Sequence, residues 1–287
     1  MSSVVVAAAQ IAPKLGDLQA NLEIHLDYIE RAKEQDVDIL VFPELSLTGY
    51  DVEHKAPDIA LALSSPLVNK IAQASTNMVT VFGMIELGYA AQLHNSAVAV
   101  RDGQTTFVHR KLNLPNYGRL LEGKLFGTGR YVETFDLNDV WHSSVMICSD
   151  AWNPALIHLA AVKGATLLTV PINSARGTVD HATYSNPEGW QLAIRFYSFM
   201  YGLPTVVVNR VGMENKFSFW GGSGIFGAHG ELLAQAEDQE TLLVAKLCYQ
   251  DVVKARASLP TVRDSNLDLI HREISRLRDK IGYPTLP

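Results

Sequence analysis

The sequence predicts an α/β fold, and three observations predict it. Short runs rich in Val, Ala and Ile read as buried strands. Amphipathic helical segments alternate with them, as in a layered α/β architecture. Closely spaced turns in the later part imply antiparallel neighbours and hence a mixed sheet. The chain has 287 residues, 47% of them hydrophobic, enough for one large core. No Pro/Gly/Ser-rich linker divides it, so 1–287 is read as one domain.

Val4 to Gln10 is a Val-rich run and reads as a strand. Asp17 is placed to cap a helix in which Leu18, Leu22, Leu26 and Ile29 recur at helical spacing. Asp38 to Phe42 is a second strand and ends at Pro43-Glu44. Pro66 to Ser75 reads as a helix and Val79 to Ile85 as a strand. Asn95–Val100 and Thr105–Val108 flank Asp102-Gly103, a strong hairpin signal. Residues 116–129 read as loop, and Tyr131 to Phe135 as a strand. Ser144 to Ile147 is an apolar run that ends abruptly at Cys148. Pro154 suits the first turn of the helix that runs to Lys163. Ala165–Val170 and Pro204–Val208 read as strands around a helix over Glu188–Tyr201. Phe217 to Phe226 holds a tight glycine turn, Gly221-Gly222-Ser223-Gly224. Two further strands, Glu231–Ala236 and Thr241–Leu247, complete a hairpin set. The tail from Thr261 is helical around Leu267–Ile281. It has few core anchors, which suits 261–287 to an arm packing on a partner subunit.

Three reactive side chains fall at strand ends, where layered α/β proteins carry their sites. Each has a plainer reading. Cys148 fits a small buried cysteine closing a core strand. Glu44 fits a helix cap or surface carboxylate, and Lys111, in His109-Arg110-Lys111, a solvated basic edge. Taken together their chemistry is complementary. A carboxylate can take the thiol proton, and an ammonium can favour the thiolate and then hold an oxyanion. Glu122 reads as a helix-capping carboxylate. Cys248 lies in an apolar run and is expected to be buried and inert.

The formal charge of −6 leaves no electrostatic footprint for nucleic acid. No apolar run is long enough to span a bilayer, and the start of the chain lacks the basic region of a signal peptide. Two cysteines make no disulfide framework, so a cytoplasmic setting with reduced thiols is expected. No His or Cys pair has tight ligand spacing, and neither a metal nor a cofactor is expected.

Three motifs give the sequence a resemblance to the nitrilase, or carbon–nitrogen hydrolase, superfamily. They are Phe42-Pro43-Glu44-Leu45-Ser46-Leu47-Thr48-Gly49-Tyr50, Arg110-Lys111-Leu112-Asn113-Leu114-Pro115 and Ile147-Cys148-Ser149-Asp150-Ala151-Trp152. Ala8-Ala9-Gln10, Asn209-Arg210-Val211-Gly212 and Phe219-Trp220-Gly221-Gly222-Ser223 support them, and the match covers essentially the whole chain. The resemblance implies a four-layer αββα sandwich with two mixed β-sheets that forms a homodimer or higher homo-oligomer. It implies that Glu44 is the general base, Lys111 the oxyanion stabiliser and Cys148 the nucleophile. Glu122, in Leu121-Glu122-Gly123-Lys124, matches a second glutamate more loosely. The implied reaction is cleavage of a small amide or nitrile through a cysteine thioester, with a backbone N–H near Ser149 sharing the oxyanion. Tyr50, Tyr117, Ser149, Trp152 and Asn173 are expected at the substrate pocket.

The position after the cysteine departs from the better-known branches, which place Trp, Tyr or Glu where Ser149 stands. Leu114-Pro115-Asn116-Tyr117-Gly118, with Asp150 and Trp152, leans toward the glutaminase domain of NAD synthetases. A free-standing amidase is the favoured expectation, because no Ser-Gly-Gly loop for a synthetase is present. N-carbamoyl amine or nitrile hydrolysis by the same site, and a non-catalytic binding protein on the same fold, are the alternatives. A Cys–His enzyme is disfavoured, since Cys148 has no flanking glycines.

Overall fold

The computed structural model describes residues 2–117, 120–177 and 185–281. Gly118 of the loop motif and residues 282–287 of the expected arm lie outside them. The first half runs β1 (Ser3–Gln10), α1 (Leu18–Lys33), β2 (Ile39–Val41), α2 (Ala56–Ile59), α3 (Pro66–Ala74), β3 (Val79–Leu87), β4 (Leu93–Arg101) and β5 (Gln104–Arg110). The second runs β6 (Thr134–Asp136), β7 (His142–Val145), α4 (Pro154–Val162), β8 (Leu167–Pro171), α5 (Asn186–Tyr201), β9 (Thr205–Val208), β10 (Val211–Glu214), β11 (Phe217–Trp220), β12 (Gly224–Phe226) and β13 (Leu232–Gln235). β14 (Thr241–Cys248), α6 (Tyr249–Ser258) and α7 (Leu267–Ile281) follow.

Two six-stranded sheets result, ordered β14-β1-β2-β3-β4-β5 and β13-β12-β9-β8-β7-β6. Side-chain alternation makes the layers. In β1, Val4, Val6 and Ala8 face the second sheet and meet Val145, Leu167, Val206 and Ile225 in a core between the sheets. Ala7 and Ala9 face the other way, under Leu22 and Ile29 of α1 and Val68 and Ile71 of α3. The outer face of the second sheet is covered by Ile157 and Ala160 of α4 and Trp190 and Ile194 of α5. The architecture is therefore a four-layer αββα sandwich with two mixed sheets, as the resemblance implies.

The two sheets share one plan. Across β14-β1-β2-β3-β4-β5 the pairings run antiparallel, parallel, parallel, antiparallel, antiparallel. Across β6-β7-β8-β9-β12-β13 they run in the same sequence. In each, helical crossovers join the three parallel strands, as parallel pairing requires. β2 and β8 are the central parallel strands of the two copies, so Glu44 and Asn173, just beyond them, occupy corresponding places.

Local chemistry accounts for the element ends. Asp17 accepts a hydrogen bond from the Ala20 backbone N–H, and Ser65 from that of Val68. Gly202 closes α5 in the left-handed conformation. Several expectations need correction. Of the late hairpin set, the strands either side of His229-Gly230 do pair, β12 with β13 in the second sheet, but β14 does not join them and crosses to pair with β1 in the first. The strand expected over Tyr131–Phe135 lies at Thr134–Asp136, and Tyr131 is exposed. α6 and β10 were not foreseen. Cys248 is only half-buried, because β14 gives way to α6 there. α7 forms where expected and buries none of its residues; Leu267, Ile270, Ile274 and Leu277 all stand exposed.

Candidate active site

Glu44, Lys111 and Cys148 reach one place from three strand ends. β2 delivers Glu44 through a turn that crosses β3 at Gly83. There Gly83 donates its N–H to Ser46 Oγ (3.1 Å), and Leu47 donates its N–H to the Gly83 carbonyl (2.9 Å). β5 runs straight into Lys111. β7 continues through Met146 and Ile147 into Cys148, which opens a short 3-10 turn, Cys148–Trp152. Cys148 has φ = +47° and Leu45 the same value, the left-handed region that costs a residue with a Cβ about 1–3 kcal/mol.

Lys111 is fully buried and donates to Glu44 Oε1 (2.6 Å) and Glu122 Oε1 (2.8 Å). The basic-edge reading of Lys111 therefore fails. Glu122 opens a single 3-10 turn, and its side chain turns inward to the lysine and to the Tyr50 hydroxyl (2.8 Å) rather than capping a helix. Asn95, on β4, donates to Glu44 Oε1 (2.7 Å) and reaches Glu122 Oε2 (3.3 Å). Asn173 donates its backbone N–H to Glu44 Oε2 (2.9 Å) and its side-chain amide to the Glu44 carbonyl (2.7 Å). Glu44 is thus neither a cap nor a surface residue.

Two carboxylates flank one ammonium, so the group carries an excess of negative charge. Burial first, and then these neighbouring charges, shift the Cys148, Lys111 and Glu122 groups. Burial pushes the Cys148 thiol well above its ordinary range. Glu44 and Glu122 push the same way, against Lys111 and the Asn173 backbone N–H. Burial alone would lower the Lys111 ammonium, but Glu122, Glu44 and Cys148 hold it well above its usual value. Burial raises Glu122, opposed by Lys111 and assisted by Glu44. At neutral pH the resting site therefore holds a neutral thiol beside a fixed cation.

Cys148 opens into a cavity with about 420 Å³ of empty space, its mouth included. Tyr50, Tyr117, Glu122, Ser149, Trp152 and Asn173 line it, as do Trp190 and Phe217. Every pocket residue expected from the sequence is therefore on this wall. Glu44 and Lys111 are buried and are not among its lining residues. Tyr117 stands half-exposed at the mouth, whereas Trp152 packs on Trp190 at 4.6 Å. Asn95, His109, Asp150, Arg210 and Glu214 were not foreseen as part of the site. His94-Asn95-Ser96 does interrupt an otherwise apolar strand, and that was the available signal for Asn95. Glu214 accepts the Tyr50 and Asp51 N–H groups (2.9 and 2.7 Å) and pairs with buried Arg210, so it holds the Tyr50 loop.

Among the described residues, no group of His, Cys, Asp and Glu could hold a metal ion. None of the described helices is long and apolar enough to cross a membrane.

An αββα sandwich with a thiol, an ammonium and two carboxylates gathered at its strand ends defines a thiol-bearing enzyme scaffold. The carbon-nitrogen hydrolase family model matches residues 5–257, and the chain belongs to that family as one of its hydrolases. It is 29% identical over 294 aligned positions to a glutamine-dependent NAD(+) synthetase of Thermotoga maritima, covering 99% of this chain and 49% of that protein. The chain thus spans about half the length of that relative. It is 28% identical to a Schizosaccharomyces pombe protein named a probable nitrilase, covering 94% of this chain and 98% of that one. A crystal structure of a carbon-nitrogen hydrolase from Helicobacter pylori superposes with a TM-score of 0.81 at 26% identity. It covers 93% of this chain and 96% of that chain.

Proposed function

We propose that the chain hydrolyses small amides through a Cys148 thioester, with Glu44 as proton acceptor and Lys111 as oxyanion donor. The observation that carries this reading is the fully buried Lys111 ammonium, fixed by Glu44 and Glu122 beside a neutral thiol. The Cys148 proton passes to Glu44 as sulfur attacks the carbonyl carbon. The oxyanion is held by Lys111 and the Ser149 backbone N–H. Collapse breaks the C–N bond, and Glu44 returns the proton to the leaving nitrogen. Water then attacks the thioester, giving its proton to Glu44, and the carboxylic acid leaves as the thiol reforms. Glu122 keeps the ammonium aimed, and Tyr50, Tyr117, Trp152 and Asn173 shape the pocket for the acyl group.

Ammonia release from short aliphatic amides, ω-amides, N-carbamoyl amines and nitriles, with Cys148→Ala in parallel, tests the reading. Release from amides that vanishes in the variant is expected. Full activity in the variant would sink the assignment. A second reading, the glutamine side-chain amide as substrate, is favoured by similarity to glutamine-dependent NAD(+) synthetases over nearly the whole chain. Glutamine in the panel decides between the two.

We also infer a homodimer. Leu192, Phe196 and Phe199 of α5 and the apolar side of α7 are exposed and suit a second copy. Light scattering on eluting protein tests this. The two unpaired cysteines fit a reducing compartment such as the cytoplasm.

A further inference from the structure

Behind the reacting groups lies a second buried cluster that the proposed chemistry does not use. Asp150 is fully buried. Its Oδ1 accepts the backbone N–H groups of Leu112 (3.0 Å) and Asn113 (2.7 Å), the two residues after Lys111. Its Oδ2 accepts the N–H of Ile147 (3.2 Å), the residue before Cys148, and lies 3.0 Å from His109 Nε2. His109 is itself buried and sits on β5, two residues before Lys111, so it projects from the first sheet toward the second. A carboxylate only accepts, so His109 Nε2 carries the proton and donates it. The Ser149 hydroxyl closes the ring by donating to the Asn113 carbonyl.

One carboxylate therefore ties the segment that carries the ammonium to the segment that carries the thiol. The two belong to different sheets, and no strand pairing joins them. Asp150 belongs to the same turn as the left-handed Cys148, and through Leu112, Asn113 and His109 it anchors that turn to the first sheet's segment. We propose that Asp150, oriented by His109, is a positioning residue. It fixes the distance between the Lys111 ammonium and the Cys148 sulfur and aims the Ser149 N–H at the site they share. This rests on the thioester reading above and adds to it how the two halves of the site are kept in register.

The variants follow from the donor and acceptor pattern. In Asp150→Asn, the Oδ1 acceptor for Leu112 and Asn113 is kept. The new amide instead meets both the Ile147 N–H and the His109 Nε2–H donor to donor, so the nucleophile turn and the His109 contact loosen while the bonds to Leu112 and Asn113 stay. His109→Leu removes the donor without adding bulk, and His109→Gln keeps a donor within reach. Misplacement of reacting groups by about 1 Å costs about a hundredfold. The experiment measures kcat and KM for the best amide, the rate of Cys148 alkylation by iodoacetamide and the melting temperature. It covers the wild type, these three variants and Cys148→Ala.

Positioning predicts that Asp150→Asn and His109→Leu lose about ten- to a hundredfold in kcat per folded molecule, with KM within about twofold. The alkylation rate changes in the same variants, and His109→Gln recovers most of kcat. Normalising to protein that remains folded removes any loss of stability from the comparison. Unchanged kcat per folded molecule in Asp150→Asn and His109→Leu, with Cys148→Ala inactive, overturns the positioning role alone. Activity retained in Cys148→Ala overturns the thioester reading, and this proposal with it.

Discussion

Gly83 lies so close beneath Leu45 that a Cβ built on it would stand 2.1 Å from the Leu45 amide nitrogen. The next nearest atoms are also backbone, the Glu44 carbonyl carbon at 2.8 Å and Leu45 Cα at 2.9 Å. No side chain can swing aside there. Gly83→Ala must therefore lift the turn that carries Glu44 or bend β3. Overpacking of this kind costs about 1–3 kcal/mol. The expected outcome is a stability loss of that size by urea titration, together with a drop in kcat larger than the loss of folded protein explains.

Glu44→Gln separates two accounts of how the thiol is activated. If Glu44 only contributes charge, its removal takes away a negative neighbour that holds the thiol high. The thiolate then forms more readily, and iodoacetamide labels Cys148 faster. If Glu44 accepts the thiol proton, labelling slows and kcat falls by about 10²–10⁴-fold. Slower labelling at neutral pH is the expected result, followed by mass spectrometry with half-buried Cys248 as the internal reference.

Lys111→Arg keeps the charge and loses the fit. The ammonium sits in a fully buried slot with donors to two carboxylates 2.6 and 2.8 Å away. A planar guanidinium is larger and presents its donors in a fixed fork. Loss of an oxyanion donor costs about 10²–10³-fold in rate, and kcat in this variant is expected to fall by at least that much. Wild-type kinetics in Lys111→Arg would refute the role given to the lysine.

Acid should destabilise the protein through His25. Its ring is fully buried, with Nδ1 2.6 Å from the Asn21 carbonyl and Nε2 2.9 Å from Ser46 Oγ. Nδ1–H donates to the carbonyl and Nε2 accepts from the hydroxyl, so the neutral ring satisfies both. Burial lowers its pKa to about 4 from 6.5, against the opposing hydrogen bond to Asn21. The unfolded chain binds this proton first, so the contribution is complete above about pH 6.5 and is lost as pH falls toward 4. The difference amounts to about 3 kcal/mol. Urea midpoints measured from pH 7 down to 4.5 should fall accordingly. The slope should flatten in His25→Phe, which cannot take up the proton. Because Ser46 also receives the Gly83 N–H, loss of this chain of bonds should reach Glu44 before the fold as a whole.

The sequence carried the local elements well, because caps, periodicity and turn residues act over a few positions. Asp17, Ser65 and Asp102-Gly103 mark their boundaries directly. It carried the strand partners poorly. β13 and β14 look like a hairpin, yet β14 joins the other sheet because of the edge of β1, more than two hundred residues away. The three reactive residues were legible because each stands at a strand end and inside one of the three motifs that carry the resemblance. Asn95 showed only as a polar break in an apolar strand, and Asp150 and Glu214 were not legible as site residues, because their partners are brought in from other strands and loops. Tyr50 and Asn173 could be placed near the pocket by resemblance, but their bonds to Glu122 and Glu44 are properties of the assembled sheets.

The pairing of β14 with β1 sets an order of events during synthesis. All six strands of the sheet that bears Cys148 have been made once residue 235 has emerged. The sheet that bears Glu44 and Lys111 must wait for Thr241–Cys248 to return to Ser3–Gln10. Contacts of such long sequence separation form slowly. Until they do, the edge of β1 and the inner faces of both sheets stay open to other chains. β14 is thus the last strand to join the first sheet, whose other five strands have been made by residue 110. Chaperone dependence should therefore concentrate in the interval before β14 docks.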